Sequence, residues 1–72
     1  MKAIIRNLGR NKINKEIEIK SILDLEKEIG RYILSKNWFF EAIDDSTYLV
    51  IAGFRVLGVV ELKQTENENR DL

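Results

Sequence analysis

Between Ile13 and Ile33 the spacing of apolar residues changes period once, and that change decides most of what the chain can become. From Ile13 to Lys20 apolar and polar residues alternate. Ile13, Lys15, Ile17 and Ile19 share one side, and Asn14, Glu16, Glu18 and Lys20 share the other. A period of two with one wet side describes a half-buried antiparallel strand. After Ser21 the period lengthens, and Ile22, Leu25, Ile29 and Ile33 fall along one helical stripe. A strand followed at once by a one-sided helix hides both apolar surfaces by packing helix on sheet.

The flanking segments extend this reading. Met1 to Leu8 reads as a strand, and Gly9-Arg10-Asn11-Lys12 supplies the turn chemistry of a hairpin. Ser21 and Asp24 have the spacing of a capping box, with Asp in the usual place of Glu. Acids early and Arg31 and Lys36 late suit the helix dipole. The stripe predicts a helix over 22–36, with Asn37 as its cap and Gly30 as a weak point costing about 1 kcal/mol against alanine. Beyond it, Trp38–Ile43, Thr47–Ala52 and Arg55–Lys63 read as strands, separated by Asp44-Asp45-Ser46 and by Gly53. The expected fold class is α+β, a ββαβ(β)β chain with one helix on a mixed four- or five-stranded sheet. At 72 residues this is one domain, expected over 1–63, with 64–72 as a disordered acidic tail.

Composition removes whole classes of chemistry. There is no cysteine and no histidine, so disulfides, thiolate sites, the commonest metal ligand and the usual base of a serine nucleophile are all missing. Asp44-Asp45 lacks the further oxygen ligands of a cation loop and reads as a turn. We expect no enzyme, no cofactor, no metal and no small-molecule substrate. The apolar runs fall well short of the roughly 18 residues of a membrane span, and Met1-Lys2 opens a strand rather than a signal peptide. The expected setting is cytoplasmic, without membrane association.

Several residues resemble the ubiquitin-like β-grasp family. Met1, Leu8, Ile13, Glu16, Ile17 and Glu18 follow the pattern of its amino-terminal hairpin. Leu49-Val50-Ile51-Ala52-Gly53-Phe54-Arg55-Val56 is similar to its Leu-x-x-Ala-Gly-x-x-Leu strand and turn. The resemblance covers residues 1–57 and implies a sheet in which the last strand lies beside the first. It also implies a partner-binding sheet face on which Leu8 and Val50 hold matching positions. No glycine follows Gly58, so conjugation or sulfur transfer through a terminal Gly-Gly is not expected.

Two surfaces are candidates for function. Strict alternation turns Ala3, Ile5, Ile13, Ile17, Val56, Val60 and Leu62 toward the helix and Ile4, Leu8, Leu57 and Val59 away from it. Val50 joins the outer set with Phe39 or Ile43, according to register. A contiguous apolar patch of this kind marks an interface, with a foreign protein or with a second copy as a homodimer. The other surface is basic. Residues 1–20 carry six cations against two carboxylates, and Arg6, Arg10, Lys12 and Lys15 surround the hairpin. Such a ribbon could meet nucleic-acid phosphates, although lysines on a hairpin edge also guard against edge-to-edge pairing. Trp38 and Phe40 read as core, and Leu23, Gly30 and Leu34 as a helix flank. The first expectation is a non-enzymatic protein-interaction module using the sheet face, of the kind small regulators from phages, viruses and mobile elements supply. The alternative is a nucleic-acid-binding protein using the basic hairpin.

Overall fold

The computed structural model describes residues 1–64, so the expected acidic tail lies, from residue 65 on, outside the described residues. The elements run β1 (Lys2–Leu8), β2 (Ile13–Glu18), α1 (Ile22–Gly30), β3 (Trp38–Ala42), β4 (Thr47–Ala52) and β5 (Arg55–Lys63). They build a small α+β domain of one helix and a five-stranded sheet in the order β2-β1-β5-β4-β3. The last strand does lie beside the first, but every neighbouring pair is antiparallel, and the expected mixed sheet is corrected. The reason is parity. Helix α1 carries the chain from the end where β2 finishes back to the other end. Strand β3 thus runs with β2, and the two reversals through β4 leave β5 parallel to β2 and opposed to β1. Two strands in place of three would have left the last one parallel to β1.

Helix α1 spans Ile22–Gly30, six residues shorter than the expected 22–36. It closes at Gly30 with tighter bonds, Arg31 N–H donating to Glu28 carbonyl at 3.2 Å and Tyr32 N–H to Ile29 carbonyl at 3.0 Å. The chain then leaves the helix axis, yet Ile33 still packs against the core from irregular backbone. The amino-terminal cap also differs from the expected box. The Ser21 side chain makes no capping bond, and the Asp24 carboxylate accepts instead from Lys20 N–H at 2.9 Å.

Leu25 and Ile29 of α1 meet Ala3, Ile5, Leu8, Ile19, Val50 and Val60 in a fully buried core. Trp38 and Phe40 flank it, as their sequence setting implies, with ring centroids 5.1 Å apart in an edge-to-face contact, and Phe40 continues to Tyr48. Aromatic pairs favour this arrangement because ring edges are positive and faces negative.

Two bulges reset which residues face the helix. Between Ile5, paired with Lys15, and Leu8, paired with Ile13, the residues Arg6 and Asn7 stand opposite Asn14 alone. Asn7 takes the extra residue in the left-handed region at φ 55°, and its N–H donates to Asn14 Oδ1 at 3.1 Å. Asn is among the few side chains that adopt this conformation readily. The second bulge lies in β5, where Val50 pairs with Gly58 and Ile51 with Val56, leaving Leu57 unmatched. Each inserted residue inverts the alternation beyond it.

Candidate functional site

The side of the sheet away from α1 is built by register. Phe39, Ile51 and Val56 lie in one cross-strand row, and Glu41, Leu49, Val59 and Arg6 in the next. Five apolar side chains therefore adjoin on β3, β4 and β5. Phe39 and Val56 remain 51% and 58% exposed. Toward the other end of the strands the face becomes charged, with Lys2 near Glu16 at 3.6 Å and Arg6 near Glu61 at 3.4 Å. Ile4 and Val59 belong to this outer face and are half-buried among their neighbours.

The other three residues expected there are placed differently. Leu8 and Val50 are completely buried on the helix side. Leu57 packs against the core, while Val56, expected inside, is outside. Both errors on β5 and the one on β1 come from carrying strict alternation across a bulge. Val50 follows from register, because its cross-strand partner Phe40 turns toward the core. Phe39, Leu49 and Ile51 complete the patch. Their signal was the alternation of β3 and β4 taken together, once the pairing is known.

The basic hairpin does not form one surface. Arg6 lies on the outer face against Glu61. Lys15 lies on the opposite face, where its Nζ donates to the Glu28 carboxylate and, at 3.0 Å, to the Tyr32 hydroxyl. That contact ties β2 to α1. The Lys15 bond holds the Glu28 carboxyl below its usual range, and the same bond raises the Lys15 ammonium above its own. Arg10 and Lys12 alone stay at the hairpin tip, exposed and without an ion pair among the described residues.

At the tip they meet a residue that sequence reasoning had not grouped with them. The β1–β2 loop, the α1–β3 segment and the β4–β5 turn converge on a half-open cleft of about 750 Å³. Arg10, Lys12 and Arg55 line it together with Tyr32, Ile33, Leu34 and Leu57, and no described acidic residue does. Gly9 fixes the geometry. It adopts φ 74°, and its N–H donates to the Leu57 carbonyl at 2.9 Å. A methyl group at Gly9 would stand 2.7 Å from the Tyr32 carbonyl oxygen.

Elsewhere, the Asp44 carboxylate accepts from Ser46 N–H at 2.9 Å and Thr47 N–H at 2.8 Å, which lowers its pKa and closes the turn. Among the described residues no group of acids is able to hold a metal ion and no helix is long and apolar enough to cross a membrane. No family model, curated protein or solved structure matches the chain.

Proposed function

We propose that the chain is a small non-enzymatic protein-interaction module, and that its outer sheet face closes on a second copy. The observation that carries this is the contiguous patch of Phe39, Leu49, Ile51, Val56 and Val59 on the side of the sheet away from α1. Apolar area of this kind gains by leaving water. The row Glu41–Leu49–Val59–Arg6 is also self-complementary, an apolar pair between opposite charges. A two-fold axis along the strands reverses that row, setting Glu41 of each copy over Arg6 of the other. Strands of the two sheets then run nearly aligned, as stacked sheets prefer. The scaffold is read as β-grasp-like. Supporting this are the helix after the first hairpin and the last strand inserted beside the first; the antiparallel sense of that insertion is its departure.

Light scattering across concentration and at two salt levels tests the reading. The expected result is a mass that doubles with concentration in the wild type and stays monomeric in Phe39→Lys, whose exposed position tolerates the charge. Arg6→Glu should weaken association, and Arg6→Glu with Glu41→Arg should restore it. A wild type that remains monomeric throughout overturns the second-copy interface, and the face then belongs to a foreign protein. The four-residue basic hairpin does not favour the nucleic-acid reading, since Arg6 and Lys15 lie on opposite faces in ion pairs.

A further inference from the structure

We infer that the cleft at the loop end of the sheet binds a small organic phosphate, the phosphoryl group held by Arg10, Lys12 and Arg55 and the apolar body lying against Ile33, Leu34 and Leu57. The cleft volume of about 750 Å³ falls within the size of ordinary ligand sites. Three cations line it, two from the β1–β2 loop and one from the start of β5, and no described carboxylate lines it or pairs with them. A single carboxylate would leave that charge mostly uncompensated. A phosphate monoester carries close to two negative charges at neutral pH and offers three acceptor oxygens. Two guanidinium forks and an ammonium are the donor types that pair with such oxygens.

The remaining wall chooses between kinds of phosphate. Tyr32, Ile33, Leu34 and Leu57 give the cleft an apolar side that inorganic phosphate does not use. The site is also set before a ligand arrives. The Gly9–Leu57 backbone bond ties the hairpin loop to β5, and the loop passes so close to the Tyr32 carbonyl that a methyl group at Gly9 would clash with it. A site already ordered loses less entropy on binding. The cleft shares Val56 with the outer patch, but Phe39, Leu49, Ile51 and Val59 do not line it, so a change at Phe39 separates the two readings.

The test is a titration of the full chain followed by backbone amide NMR shifts, with phenyl phosphate as the probe. Saturable shifts are expected at Gly9, Gly53 and Leu57, with inorganic phosphate binding about tenfold more weakly for want of the apolar contact. Arg55→Glu should weaken phenyl phosphate at least about tenfold. Lys27→Glu, an exposed charge change on α1 outside the cleft, should leave it unaltered. Phe39→Lys should bind as the wild type does, so a failed titration and a failed dimer are separate results. The inference is overturned by the absence of saturable shifts, by equal weakening in Lys27→Glu, or by shifts lying away from the three loops. Inorganic phosphate binding as tightly as phenyl phosphate would overturn the organic body. An oligothymidylate that binds far more tightly than phenyl phosphate would replace the small ligand with a strand.

Discussion

Gly58 of β5 packs tightly against β1: a methyl group there would stand 2.9 Å from the Leu8 Cδ1 and 3.0 Å from the Leu8 Cα. The second of these is backbone and does not yield, so Gly58→Ala should cost about 1–3 kcal/mol in a urea melt. Leu8→Ala should cost about 2–5 kcal/mol, since Leu8 is wholly buried. Val56→Ala should change stability by no more than about 0.5 kcal/mol, since that side chain is mostly in water. A Leu8→Ala protein as stable as Val56→Ala would return Leu8 to the outer face. Single residues were the least legible scale in the sequence. Ile4 and Val59 followed from alternation because no bulge lies between them and the middle of their strands. Leu8, Leu57 and Val56 did not, because a bulge inverts everything beyond it and leaves only a local trace. Asn7, able to adopt positive φ, and Gly58, able to admit a close neighbour, were those traces.

At the level of elements, β4 and β5 appear over the same residues that their composition predicts, and β2 keeps the side assignment read from its alternation. Helix α1 does not, because an apolar stripe records which residues reach the core and not how the backbone carries them there. Ile33 reaches it from outside the helix. Gly30 closes that helix with open space where a side chain would go. Gly30→Ala should therefore raise the unfolding free energy in a urea melt by up to about 1 kcal/mol. The Lys15–Glu28–Tyr32 contact gives a pH signature with a definite sign. The Glu28 pKa is lowered by folding, so its contribution is present above the ordinary carboxylate range and is lost as pH falls through the folded value. The Lys15 pKa is raised, so its contribution holds below the ordinary lysine value and is lost as pH rises past the folded one. In paired urea melts, the stability advantage of wild type over Glu28→Gln should be present at neutral pH and shrink toward about pH 3. An advantage that grows on acidification would contradict the assignment.

For the molecule as a whole, a net charge of zero conceals a cluster of cations at one end of the strands. Segments 9–12, 31–37 and 53–55 meet at one end and carry Arg10, Lys12, Arg31, Lys36 and Arg55 with no acid among them. The opposite end is mixed, with Asp44 and Asp45 in its turn and Lys2 paired with Lys63 across β1 and β5. The sequence showed an excess of cations in its first quarter, but the fold assembles the positive end from three segments that are distant in the chain. Rotation about an axis along the strands exchanges two copies without inverting them. The proposed dimer would thus point both cationic ends the same way and set two clefts side by side. A molecule bearing two phosphates on a tether of fitting length would engage both, the second step being intramolecular. Avidity of that kind reaches factors of about 100 or more without any new contact. It would vanish in Phe39→Lys, where each cleft is intact but stands alone.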